Sequence, residues 1–501
     1  MARHALFLIV LCIPVGAATC DNLASLKLAR TTITAAKVVA SGEFRPPGSA
    51  LDAEALARYQ TLPAFCRVQG VIQASGDSKI EFELWLPTEK WNGRFLGVGN
   101  GGWAGFINYG GLFGALRQGY ATASTDTGHT GASAEFAVGH PEKLIDFAYR
   151  GVHEMALQSK SIVAAFFGRP SQYSYWNGCS AGGGQGVMEA WRYPNDFDGI
   201  LAGSSGNPLT MDAEYWWMWV AQAVHSTPDS FIPPEKYSII HAAALEACDA
   251  ADGLRDGLIQ DPTLCRFDPA ILLCRDSGGR DCLTQAQVEA ARRLYSPARD
   301  SRTGKLIYPG LQPGSELGWG SLAGETPPSY ATEIFRHLVF KDPKWDFRSI
   351  PFDSLIAVPT GIPASFSPMN PDLKAFFQRR GKLLLYHGWN DTVNAPGSSV
   401  AYYRSVLKTV GNEAMTQDSI RLFMAPGMGH CRGGEGPNTF DGMTPLRAWV
   451  ERGEAPTSII ASHSTAGKSD RTRPLCPYPE LATYKGSGSI DDASNFVCRV
   501  P

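Results

Sequence analysis

The chain has 501 residues, among them 53 Gly, 34 Pro and 12 Trp, and a formal net charge of −3. That length supports two or three domains, or one large domain carrying an insertion. The near-neutral charge balance argues against a nucleic-acid-binding surface.

The amino terminus, "MARHALFLIVLCIPVGAATC", sets Arg3 and His4 before an apolar run from Ala5 to Val15. Small residues follow at Gly16, Ala17 and Ala18. This is the pattern of a secretory signal peptide over residues 1–18, cut near Ala17 or Ala18. The run is too short to span a membrane, and no later segment is long and apolar enough. Cys20 invites a lipoprotein anchor, but Thr19 before it fits that poorly. The signal would remove Cys12, one of 11 cysteines, and the even number left reads as disulfides in a secreted or periplasmic protein. Proximity in sequence pairs Cys248 with Cys265, Cys274 with Cys282 and Cys476 with Cys498, while Cys20 and Cys66 would fasten the N-terminus. Cys179 and Cys431 are left over. No C-x-x-C pair supports zinc.

Strand-length apolar runs follow in order: residues 79–87, 94–99, 120–126, 173–178 and 197–204, then 382–388 and 420–427. The first, "KIEFELWLP", alternates and suits an antiparallel strand. The others are short continuous runs, as buried parallel strands require. Residues 142–168 have apolar side chains at helical spacing and a Gly stop, which predicts one helix. Strands alternating with helices imply an α/β fold with a doubly wound, mostly parallel sheet. The rhythm breaks between Asn207 and Ser367, a stretch with four cysteines, many prolines and the cluster "YWWMW". Residues 207–367 are therefore expected to form an inserted lid, with a core built from residues 19–206 and 368–501.

"YWNGCSAGGGQG" (175–186) joins a strand to a helix through a glycine-rich turn and holds Ser180 in G-x-S-x-G. Such an elbow projects a serine hydroxyl above a sheet. The plain alternative is an ordinary strand-to-helix turn. A serine needs a base, oriented by a carboxylate, to act as a nucleophile. Asp391 in "LLLYHGWNDTVN" and His430 in "LFMAPGMGHCRGG" each follow a predicted strand, in the order Ser, acid, His. His129, His153, His387 and Asp441 are rivals. Of these His129 precedes the serine, His153 falls within a helix, and His387 reads as structural. The backbone N–H of Ala181 and one from "GVGNGGWAG", at Gly102 or Gly101, are expected to hold an oxyanion. Cys179 precedes Ser180 and Cys431 follows His430, so a disulfide between them would staple the nucleophile turn to the base loop. In "CDAADGLRDGLIQDP", Asp249, Asp252 and Asp256 alternate with Gly253 and Gly257. With the carbonyls of Leu254 and Leu258 they form an oxygen set suited to calcium, though not an EF-hand. The alternative is a solvated acidic turn.

These residues resemble the tannase and feruloyl esterase family of α/β-hydrolases, whose hallmark is Cys-Ser, Asp and His-Cys with a disulfide joining the two cysteines. Here these are Cys179-Ser180, Asp391 and His430-Cys431. "FCRVQGVI", "IEFELWLPTEKWNGRFLGVGNGGWAG", "STDTGH" and "DFAYRGVHE" extend the likeness over nearly all of the chain from Cys20 onward. The resemblance implies an α/β-hydrolase core, a serine esterase acting on small aromatic esters such as ferulates, and a structural calcium in the lid at "DAADGLRDGL". Gallate esters or a terephthalate half-ester are alternative substrates, the last calling for an Arg in the lid such as Arg336. A catalytically idle scaffold is the alternative from another class. Trp103, Trp216, Trp217 and Trp219 are candidates to stack on an aromatic ring, or simply to pack a core. The lone N-x-S/T sequon, Asn390-Asp391-Thr392, overlaps the expected acid and points to a bacterial export route.

Overall fold

The computed structural model describes residues 17–48, 52–225, 227–275 and 279–501. The expected signal peptide lies outside them apart from Ala17 and Ala18. Nine strands form one sheet: β1 (Thr31–Val39), β2 (Phe65–Ile72), β3 (Ile80–Pro87), β4 (Arg94–Val98), β5 (Ala121–Thr125), β6 (Tyr173–Cys179), β7 (Gly199–Gly203), β8 (Lys382–Gly388) and β9 (Ile420–Ala425), in the order β1-β2-β3-β5-β4-β6-β7-β8-β9. The first three pair antiparallel, β3 joins β5 antiparallel, and the remaining pairs are parallel.

Each predicted strand is present, and "KIEFELWLP" is antiparallel to both neighbours. Alternation within the buried runs feeds two cores, because successive side chains leave opposite faces of a strand. On one face Trp176, Leu383 and Leu385 pack with helices α1 (Gly151–Phe167) and α2 (Ala181–Arg192). On the other, Tyr175 and Leu384 pack with Leu112 and Leu116 of the helix Tyr109–Arg117 and with Leu446 and Trp449 of the helix Met443–Arg452. Because the parallel strands point the same way, the loops after β4, β6, β8 and β9 all open at one end of the sheet, where open α/β sheets bind ligands.

The predicted helix over 142–168 is present and carries one π-turn. Pro141–Ile145 runs into a π-turn at Asp146–Arg150, after which α1 proceeds to Gly168, whose φ of 67° stops it. Local packing explains the extra residue. The buried Asp146 carboxylate accepts from Arg150 Nε at 2.5 Å, and a Cβ at Gly151 would lie 3.0 Å from Thr127 Cα.

Between β7 and β8 the chain leaves the sheet. The described residues of this segment form helices, among them α3 (Met211–His225), around a third core containing Trp216, Trp319, Ile334 and Phe335. The segment is fastened back onto the sheet end by His241, which meets Glu316 and, in the loop after β9, Glu435, each at 2.8 Å. Burial works against the imidazolium, but the two carboxylates outweigh it and push its pKa up to about 9.

Candidate active site

Ser180 stands between β6 and α2 at φ 61° and ψ −127°. Such a backbone costs a side-chain-bearing residue roughly 1–3 kcal/mol and persists only where its surroundings fix it. Here Ser180 N donates to Gly203 O at 2.9 Å, and its carbonyl accepts from Gly184 N at 3.0 Å and Gly206 N at 3.1 Å. The surrounding glycines answer to close approach. A Cβ at Gly178 would lie 2.3 Å from Gly182 O, and one at Gly182 would lie 2.8 Å from Asn100 O.

That second contact joins the elbow to the loop after β4. Gly182 N donates to Asn100 O at 2.9 Å. The buried Asn100 side chain spans the loop, donating to Phe106 O at 2.8 Å and to Thr125 O at 2.9 Å. Gly101, Gly102 (φ 54°) and Ala181 consequently line one cavity with Ser180.

Asp391 follows β8 and is buried. Its Oδ2 meets His430 Nδ1 at 2.8 Å and His387 Nε2 at 3.0 Å, and its Oδ1 accepts from Val393 N at 2.8 Å and Asn394 N at 3.0 Å. Burial pushes this carboxyl up, yet the His430 charge and the two imidazole hydrogen bonds outweigh it and hold Asp391 below the usual carboxylate range. His387 Nε2 faces two acceptors, Asp391 Oδ2 and Asn394 O, so that nitrogen carries the proton, and Nδ1 accepts from Ser399 Oγ at 2.7 Å. With His430 Nδ1–H committed to Asp391, its Nε2 is left to act as a base. His430 and Ser180 line the same cavity.

Cys179 and Cys431 form a disulfide bridging 252 residues, and Cys431 itself has φ 63°. The pairs read from proximity are present, Cys248–Cys265, Cys274–Cys282 and Cys476–Cys498, and Cys20–Cys66 fastens the N-terminus as expected. The cavity holds about 370 Å³ and is walled by Trp217, Tyr330, Val393 and Pro208, with Asn207 and Asn394 as polar points. Of the four Trp candidates only Trp217 lines it. Trp216 packs beside Tyr308, Trp103 stacks on Phe147 at 5.1 Å, and Trp219 lies under the Arg293 guanidinium. The rivals serve elsewhere: His129 bonds Trp103 O at 2.7 Å, His153 meets Asp196 at 2.6 Å, and Asp441 accepts from Met443 N and Thr444 N. Tyr330 and the second imidazole on Asp391 escaped sequence reasoning. A Tyr in a loop-rich segment carries no periodic signal, and only the strand-end position of His387 hinted at its role.

In the loop 249–258, Asp249 accepts from Asp256 N and Gly257 N, Asp252 from Leu254 N, and Asp256 from Leu258 N. Gly253 and Gly257 have φ of 88° and 79°. Arg473 lies 2.5 Å from Asp256, while Arg255 in the same loop pairs with Glu246. Burial raises the Asp252 carboxyl, and the charges of Asp256 and Asp249 raise it further against the opposing Leu254 N–H and Arg473. The hard-oxygen donors fit a calcium ion, and the cluster is short of positive charge.

A family model described as "Tannase and feruloyl esterase" matches residues 66–499. An uncharacterized esterase of Xanthomonas campestris is 37% identical over 96% of this chain and 91% of its own length. A protein described as probable feruloyl esterase B-2 of Neosartorya fischeri is 32% identical over 86% of each chain. The crystal structure of feruloyl esterase B from Aspergillus oryzae superposes with a TM-score of 0.88 at 30% identity, covering 96% of this chain and 99% of that one. Tannin acyl hydrolase from Aspergillus niger shares the fold, with a TM-score of 0.76 at 22% identity over 96% and 94% of the two chains.

Three outcomes follow from the geometry. Cys179→Ala with Cys431→Ala should lower kcat at least about tenfold and lower Tm, whereas Cys476→Ala with Cys498→Ala should spare kcat; equal kcat losses in the two pairs would contradict a local role for the staple. Asp391→Asn should lower kcat by about 10⁴, the cost of the wrong imidazole tautomer. A depressed folded-state pKa gives stability that is present above the unfolded carboxylate value, about 3.9, and is lost as pH falls below it. Acid unfolding followed from pH 5 downward should therefore be less steep in Asp391→Asn than in the native chain; superimposable curves would show that this carboxylate adds no such stability.

Proposed function

Because the chain belongs to the tannase and feruloyl esterase family and is a carboxylic ester hydrolase with the α/β-hydrolase fold, we propose that it cleaves esters of hydroxycinnamate-type aromatic acids through an acyl-enzyme on Ser180. The observation that carries this reading is the shared cavity: Ser180, His430 and Gly102 meet under an aromatic and aliphatic roof of Trp217, Tyr330 and Val393.

The ester carbonyl lies against Ser180 Oγ, with its oxygen toward the N–H groups of Ala181 and Gly102. His430 Nε2 takes the serine proton as Oγ attacks, and Asp391 keeps the imidazole in the required tautomer and stabilises the imidazolium. The Ala181 and Gly102 amides hold the oxyanion, a term worth roughly 3–4 kcal/mol per donor in comparable sites. His430 returns the proton to the leaving alcohol. Water, activated by the same imidazole, then releases the acid. The segment between β7 and β8 serves as the lid that excludes water and supplies the ring-binding wall. Among the described residues no Lys or Arg lines this cavity, and Arg336 lines a different cleft. That favours an uncharged aromatic acyl group over a terephthalate half-ester. The ordered Ser, His and Asp constellation argues against an idle scaffold.

For a structural calcium in the same segment, the carboxylates of Asp249, Asp252 and Asp256 with the carbonyls of Leu254 and Leu258 would be the ligands, and the ion would supply positive charge at the base of the lid. Five disulfides among the described residues support export to an oxidising compartment, secreted or periplasmic.

An organophosphonate should label the native chain at Ser180, and Ser180→Ala should abolish labelling and reduce kcat by about 10⁶. Across methyl ferulate, methyl gallate, chlorogenate and the terephthalate half-ester, kcat/KM should be highest for a hydroxycinnamate; highest turnover of gallate or terephthalate would replace the acyl assignment. For the metal, elemental analysis should find about one calcium per chain, and chelation should lower Tm by several degrees. A chain free of calcium with an unmoved Tm would refute that site.

A further inference from the structure

His153 in the first turn of α1, Glu189 near the end of α2 and Asp196 in the turn before β7 converge behind the nucleophile elbow. One donor atom from each lies within 4.8 Å of the other two. None of the three lines the catalytic cavity. Glu189 stands nine residues beyond Ser180, about 13 Å along the helix that the elbow starts.

Glu189 is 1% exposed, and among the described residues no donor reaches either of its carboxylate oxygens. Burial, followed by the charge of Asp196, pushes its carboxyl well up against the opposing charge of Lys160. Asp196 is buried too. Its Oδ2 lies 2.6 Å from His153 Nδ1, its Oδ1 lies 3.6 Å from Lys160 Nζ, and its carbonyl accepts from Lys160 at 2.9 Å. Two buried carboxylates side by side need a cation between them, a proton at the least. Lys160 brings one positive charge to the pair, and its hydrogen bond goes to Asp196. The His153 ring is held by stacking on Tyr193 at 3.7 Å, and 22% of its side chain is exposed, which leaves an ion a way in. An imidazole beside two carboxylates is a donor set for a transition metal, whereas calcium takes oxygen ligands.

We propose that His153, Glu189 and Asp196 form a second metal site, which takes a divalent transition metal of the zinc type with water completing the shell. The ion replaces the proton kept on Glu189, which leaves to solvent, and it clamps α1, α2 and the turn into β7 together. The role is structural and independent of the acyl assignment. The test uses the full chain with calcium in excess, so that oxygen-only sites stay filled. Titration with cobalt(II), the spectroscopic stand-in for zinc, should produce a visible absorption band that saturates at a single equivalent. Zinc should displace the cobalt and raise Tm, because it binds the folded chain. X-ray absorption of the bound zinc should show one imidazole among oxygen ligands at ~2.0–2.2 Å. His153→Ala and Glu189→Gln should each weaken zinc binding more than ~100-fold, beyond the usual loss on removing an outer partner of a metal ligand. The absorption spectrum of the native chain decides the matter even where a variant fails to fold. Absence of both the cobalt band and the zinc-dependent rise in Tm would overturn the site and leave a proton shared by Glu189 and Asp196. Binding that survives in both variants, or a coordination shell without imidazole, would place the ion elsewhere and overturn it equally.

Discussion

Asp391 is an ionised carboxylate removed from water, and the site depends on how that charge is kept. An uncompensated buried carboxylate would take up a proton. Four donors prevent this: two amides from its own turn, His430 from the loop after β9, and His387 from β8. Each donor also fixes something else. The amides set the turn, His387 ties the acid to Ser399 at the start of the following helix, and His430 is held by Nδ1 in the cavity it shares with the serine. A neutral acid could accept weakly but would no longer dictate the tautomer.

The nucleophile and the cysteine that follows the base stand on backbones that are individually unfavourable, with positive φ at Ser180 and at Cys431. The Cys179–Cys431 bond sits beside both. In the chain-entropy view, closing so long a loop removes about 5 kcal/mol of freedom from the unfolded chain, more than either left-handed residue costs. Backbone contacts through Gly178, Gly182 and Asn100 then bring the oxyanion loop to the same point. Three loops distant in sequence meet without a flexible joint between them.

Much of this was legible in the sequence. The strands carrying the site are short runs largely buried on both faces, so their apolar content marks them. The elbow and the acid and base loops follow from strand-then-turn order, and the cysteines from being adjacent to Ser180 and His430. Less legible were β1 and the carboxy-terminal hairpins, whose strands are partly exposed and polar, as in Lys468–Leu475 with its three leading exposed residues. The π-turn at Asp146–Arg150 arises from a buried ion pair and a tight glycine contact, neither of which alters the helical period of the side chains. The ring-facing wall was split: "YWWMW" announced aromatics, but which one faces the cavity depends on the rotation of α3, and Tyr330 comes from a segment with no periodicity.

The 252-residue reach of the Cys179–Cys431 bond also imposes an order of events on the chain's synthesis. A nascent polypeptide that has emerged only as far as β7 contains the serine but neither its base nor the partner thiol. No amino-terminal fragment that stops before the loop after β9 can hold the completed arrangement. The base reaches the serine only when translation is nearly finished, and closing the bond then fastens together a site whose parts have already met.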